Sequence, residues 1–118
     1  MRTMGAAPPQ LAAADRELLQ RIKRVVHAAE PGAQVILYGS RARGDAAADS
    51  DWDLLVLLDG PVDHKRADAL RDRIYQLELS EDECPVLSTI VRGKEEWDSP
   101  QYSAMPLHTN VEREGLEL

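Results

Sequence analysis

The chain has 118 residues, 43% of them hydrophobic and 30% charged, with 21 acidic against 14 basic side chains and a formal net charge of −7. That length suits one domain with one real core, and the balance is that of a folded globular protein rather than a disordered chain. The acidic excess excludes a general nucleic-acid binder, whose footprint would be basic, and no apolar run approaches the ~18 residues of a membrane span. No signal-peptide layout opens the sequence, so the expected compartment is the cytosol. Cys84 is the single cysteine. It excludes a disulfide framework and a cysteine zinc cluster, and reads as a small buried side chain. With two Trp, three Tyr and no Phe, the core must be built from Leu, Val, Ile and Ala, and a base-stacking platform is excluded.

Residues 1–9 read as a flexible leader and residues 10–118 as a single domain. From about Gln10 to Ala29, Leu11, Leu18, Leu19, Ile22, Val25, Val26 and Ala29 follow helical spacing, and Glu30-Pro31-Gly32 ends that helix. Val35–Tyr38 is a short continuous apolar run, the pattern of a strand covered on both faces. Gly39-Ser40 then turns the chain, with Ser40 placed to cap a short helix beginning at Arg41. Gly44–Ser50 is a small-residue loop, and Asp51–Leu58 is a second strand closed by Asp59-Gly60-Pro61.

Asp63–Leu79 reads as an amphipathic helix with Ala67, Leu70, Ile74 and Leu77 on its inner stripe. Its charged face, Lys65, Arg66, Arg71 and Arg73 among Asp68 and Asp72, is that of a solvated helix with internal ion pairs. Glu81-Asp82-Glu83 is an acidic turn before a third strand, Cys84–Val91, with Val86, Ser88 and Ile90 facing one way and Leu87, Thr89 and Val91 the other. Lys94–Trp97 starts a helical turn, Pro100 and Pro106 bracket a loop, and His108–Glu114 is a last short helix. Leu116–Leu118 is left as an end strand or tail. This order predicts an α/β domain with a small mixed β-sheet packed against helices.

Chemistry concentrates between residues 39 and 53. Asp51 and Asp53 stand two apart at the head of a strand and so share a face. Two adjacent carboxylates in a partly buried place repel one another unless a cation lies between them, and oxygen-only ligands favour Mg²⁺ or Mn²⁺. Trp52, between them, points the other way, toward a helix. Gly39 lets a phosphate approach the backbone, Ser40 adds a hydroxyl donor, and Arg41 and Arg43 can neutralise phosphate charge. Either half alone is common as a solvated strand end or a plain turn. Together they point to a nucleotide with its counter-cation.

Gly39-Ser40-Arg41-Ala42-Arg43-Gly44 followed by Ser50-Asp51-Trp52-Asp53-Leu54 resembles the signature of the minimal nucleotidyltransferases of the DNA polymerase beta superfamily. The closing Asn110-Val111-Glu112-Arg113-Glu114-Gly115-Leu116 resembles that family's last segment more loosely. The resemblance implies a nucleotidyltransferase-like fold and transfer of AMP from ATP. Gly39, Ser40, Arg41 and Arg43 would bind the nucleotide, and Asp51 and Asp53 would be catalytic and bind Mg²⁺. It further implies an antitoxin role, with AMP placed on a tyrosine of a HEPN-domain toxin partner in whose complex the chain would sit.

The same resemblance implies a third carboxylate on the later strand. Cys84–Arg92 contains no Asp or Glu, and Ser88 and Thr89 stand where it is expected. Glu81, Asp82 and Glu83 before the strand, and Glu95, Glu96 and Asp98 after it, are the acids from which one could reach back. Their plain reading is a solvated turn and a helix start. The alternative function is therefore a catalytically degenerate nucleotide-binding antitoxin that neutralises its partner by contact alone. A small-molecule nucleotidyltransferase would need an acceptor-binding domain for which the chain is short, and a template-directed polymerase fits an acidic single domain poorly.

His27, His64 and His108 lack ligand spacing and are read as surface or capping residues. Trp97 and Tyr102 flank the proline loop, either as a partner anchor or as packing beneath it.

Overall fold

The computed structural model describes residues 1–3, 13–47, 49–80 and 85–118. In chain order these form β1 (Arg2–Thr3), α1 (Ala13–Ala29), β2 (Gln34–Tyr38), α2 (Ser40–Arg43), β3 (Trp52–Leu58), α3 (His64–Ser80), β4 (Leu87–Gly93), α4 (Lys94–Trp97), α5 (Pro100–Ser103), α6 (Pro106–Glu114) and β5 (Leu116–Glu117). The strands make one mixed sheet of order β1-β5-β2-β3-β4. β2 runs antiparallel to β3, and β4 runs parallel to β3. The mixed α/β architecture expected from the sequence is the one formed. No helix among the described residues is long and apolar enough to cross a membrane.

Both faces of the sheet are covered, which is why β2 and β3 read as unbroken apolar runs. On one face, Leu19, Ile22 and Val26 of α1 and Ala67, Leu70 and Ile74 of α3 pack on Val35, Leu37, Trp52, Leu54, Val56 and Leu58. On the other, Trp97 of α4 and Val111 of α6 close over Ile36, Leu55 and Leu57, with Tyr102 and Leu107 packed alongside. Burying each of these leucines contributes about 2 kcal/mol. Trp97 is therefore core, its ring 4.7 Å from His108 and 6.2 Å from Tyr102. These aromatics pack beneath the α4–α6 segment and are not a projecting anchor.

Four expectations change in detail. Pro100 and Pro106 do not bracket a loop: each stands at the start of a helix, where its missing amide costs nothing. Arg2–Thr3 is a parallel edge strand on β5, inside the span read as a leader. Residues 4–9 of that leader and 10–12 of the expected first helix lie outside the described residues, as do the acidic turn Glu81–Glu83 and Cys84. Arg66 does not belong to a solvated face. Its guanidinium pairs with Glu30 at 2.6 and 3.0 Å and donates to the carbonyls of Asp59 and Pro61, holding the Glu30 carboxyl below the usual range. Lys94 adds bonds to Asp59 and to the Gly32 carbonyl. Finally, Ser40 is the first helical residue of α2 and does not cap it; the cap is Gly39.

Candidate functional site

β2 and β3 are adjacent and antiparallel, so the end of one meets the start of the other. Tyr38 is the register partner of Asp53. The chain leaves β2 at Gly39 with φ 77° and ψ −158°, a conformation that side chains avoid. A methyl group on Gly39 would lie 2.4 Å from Oδ2 of Asp53. The glycine–serine turn and the second aspartate thus touch, and the absence of a side chain at Gly39 is what makes room for the carboxylate. Gly44, with φ 84°, stops α2 after one turn.

Asp53 is half-buried and Asp51 exposed. Burial first, then repulsion from Asp51, pushes the Asp53 carboxyl above its ordinary value, while Arg43 pulls it down. The Tyr38 phenol is raised by burial and by Asp53. Four of these groups, Tyr38, Arg43, Asp51 and Asp53, therefore share one electrostatic neighbourhood. Trp52 is buried in the core on the opposite side of the strand, as its position between the two acids predicts.

The two arginines have separate situations. Arg41 donates from Nη2 and Nε to the Ser50 carbonyl at 2.9 and 3.3 Å and lies 4.7 Å over the Trp52 ring. It ties α2 to Ser50, the residue before Asp51, and to the first residue of β3. Arg43 donates from Nε to Asp45 and from Nη1 to both oxygens of Glu114, at 3.1–3.2 Å. No single-sequence signal joins residues 43 and 114; only the fold does.

Ser88 is the parallel register partner of Asp53 and is exposed. The place beside the acid pair where a third carboxylate was expected thus holds a hydroxyl. Thr89 faces away, its Oγ1 buried without a hydrogen-bond partner. Glu95, Glu96 and Asp98 follow the far end of β4, whose last residue Gly93 lies about 16 Å from Ser88 by strand rise. Among the described residues, no group of three or more His, Cys, Asp or Glu is placed to hold a metal ion. Asp51 and Asp53 alone still suit a hard divalent cation, since both are oxygen donors and their mutual repulsion is relieved by one. An open cleft of about 470 Å³ lies near the opposite end of the sheet, lined in part by His64, Arg71, Arg92 and Tyr102. Gly39, Ser40, Asp51, Asp53 and Ser88 are not among its lining residues.

His27 bonds the Ala33 carbonyl through Nε2 at 2.9 Å, and His64 opens α3 at the surface. Neither approaches the acid pair.

A glycine–serine turn apposed to an Asp-x-Asp strand, on a mixed sheet covered by helices on both faces, defines an α/β domain of the nucleotidyl-transferring class. The chain belongs to the nucleotidyltransferase domain family, which it matches over residues 19–105. It is also similar to a protein from Sulfolobus solfataricus whose crystal structure is presented as that of a "putative nucleotidyltransferase". The two share 25% identity over 80% of this chain and 83% of that one, with a TM-score of 0.55. No curated protein sequence matches the chain. The family match includes the turn, the acid pair and β4, and it ends before Glu114.

Proposed function

We propose that the chain is a protein adenylyltransferase that moves AMP from ATP onto a tyrosine hydroxyl of a HEPN-domain toxin and so acts as its antitoxin. The single observation that carries the nucleotide site is the contact between Gly39 and Asp53. In this reading the Gly39–Ser40 backbone and the Ser40 hydroxyl hold the β and γ phosphates, and Arg43 balances their charge. Arg41 acts indirectly by holding the 44–50 loop. Asp51 and Asp53 hold Mg²⁺ or Mn²⁺, which when bound neutralises charge on the phosphate oxygens.

The acceptor oxygen forms a bond to the α-phosphorus, the bond from that phosphorus to the pyrophosphate oxygen breaks, and pyrophosphate leaves. The acceptor's proton goes to solvent, since the neighbouring strand offers Ser88 rather than a carboxylate. The chain's contribution is orientation and charge balance. The test is transfer of label from α-labelled ATP to a co-expressed HEPN partner. It is expected with the parent chain and lost with Asp51→Asn or Asp53→Asn; label persisting in both variants would overturn the assigned roles.

Ser88 beside Asp53 favours a second reading. A nucleotide-binding antitoxin without catalysis would form a stable complex whose toxin carries no added mass. An increment of one AMP on the toxin, read by intact mass, excludes it.

A further inference from the structure

Arg43 is held by two carboxylates in unequal ways. Asp45 is 62% exposed and accepts one bond of 3.2 Å from Nε. Glu114, at the end of α6, is 12% exposed and meets Nη1 with both oxygens at 3.1 Å. The Nη2 group takes part in neither pairing. Glu114 is itself fixed, because the chain passes through buried Gly115 and Leu116 directly into β5, which pairs with β2. A methyl group on Gly115 would lie 2.5 Å from the Val111 carbonyl and 3.0 Å from Ile36, so the α6–β5 junction sits against the sheet without slack.

We propose that Glu114 is a positioning residue for the nucleotide site: it holds the Arg43 guanidinium beside Asp53, with the exposed Asp45 as the partner that a triphosphate displaces. This rests on the proposed nucleotide-binding role of the Gly39–Arg43 turn and adds to it an element outside the family match. The physical argument is one of competition. A phosphate can take the open Nη2, but a second bond from Arg43 requires Nε or Nη1, and the exposed, singly bonded Asp45 gives way more readily than the shielded Glu114. With Glu114 in place the arginine stays oriented after Asp45 leaves. Without it, the long side chain must be ordered at the moment of binding, which costs affinity.

The test is a binding cycle with a fluorescent ATP analogue and Mg²⁺. Glu114→Gln should weaken binding about fivefold and Arg43→Ala about tenfold. In the Arg43→Ala background, Glu114→Gln should have no further effect, because Glu114 acts only through Arg43. Asp45→Asn should tighten binding about twofold. A purely structural Glu114 would instead lower binding equally with and without Arg43, which would overturn the proposal, as would unchanged affinity in Glu114→Gln. Should Glu114→Gln lose its far-UV circular dichroism, Glu114→Asp carries the same cycle. If the parent chain binds no nucleotide, the proposed function fails first and the Glu114 role with it. Parent binding with an additive cycle sinks the Glu114 role alone.

Discussion

Gly39 and Asp53 are in van der Waals conflict with any alternative to glycine: the position where a Cβ would stand is 2.4 Å from Oδ2 and 3.3 Å from Cγ of the aspartate. The positive φ favours glycine there, and a Cβ would also push the Asp53 carboxylate aside. Gly39→Ala should therefore lower stability by about 1–3 kcal/mol. It should also displace the Asp53 carboxylate and abolish cation binding. Chemical denaturation with calorimetric titration of Mn²⁺ checks both; a variant that folds and binds Mn²⁺ like the parent refutes the apposition.

Asp53 gives a pH prediction of definite sign. Its carboxyl is raised in the folded chain, by burial first and by Asp51 second, so the native state holds the proton more tightly than the unfolded state. The stability this confers is present at low pH and is lost as pH rises above the ordinary aspartate value of 3.8 through the raised one. In metal-free buffer at pH 7, Asp53→Asn should thus melt about 2 °C higher than the parent. Added Mg²⁺ should raise the melting midpoint of the parent and leave Asp53→Asn unmoved. An equal Mg²⁺ response in both would remove Asp53 from the cation site.

Ser88 is the position at which the proposed cation site can be tested by adding a third acid. A carboxylate there would stand beside Asp53 on the adjacent parallel strand. Ser88→Asp should destabilise the metal-free protein by about 1 kcal/mol through like-charge crowding and tighten Mn²⁺ binding about tenfold. Isothermal titration measures the second effect. Affinity unchanged by the added acid would mean that the pair and Ser88 do not face one space.

Arg41 separates bracing from binding. Losing its bonds to the Ser50 carbonyl and its stacking over Trp52 should cost about 1–2 kcal/mol of stability in Arg41→Ala. Arg41→Lys should recover little, since an ammonium cannot reproduce a planar fork on a ring. Hydrogen exchange across residues 44–50 should quicken in both variants; an unchanged loop would show that Arg41 does not hold it.

The sequence made the covered strands legible because Val35–Tyr38 and Leu54–Leu58 are buried on both sides, and burial on both sides leaves no alternation to misread. The apposition of turn and acids was legible for the same reason: two neighbouring strands joined by a short loop bring their ends together. Ser40 misled, because a serine before a helix usually caps it, whereas here the backbone conformation at Gly39 shifts the cap by one residue. Proline misled at positions 100 and 106 by marking helix starts instead of a loop. Arg2–Thr3 carries too few residues for any period. Arg41 and Arg43 looked alike in sequence; only the fold sends one to Trp52 and the other to Glu114.

The lacing of Arg66 and Lys94 across Glu30, Gly32, Asp59 and Pro61 ties the α1–β2 and β3–α3 loops to α3 and α4 at the end of the sheet away from the acid pair. These bonds pin the pole of the molecule opposite the acid pair, much as a rivet holds the closed end of a fan. Cutting that rivet would be felt roughly one strand length away, at the Gly39–Asp53 end, with the residues there unchanged.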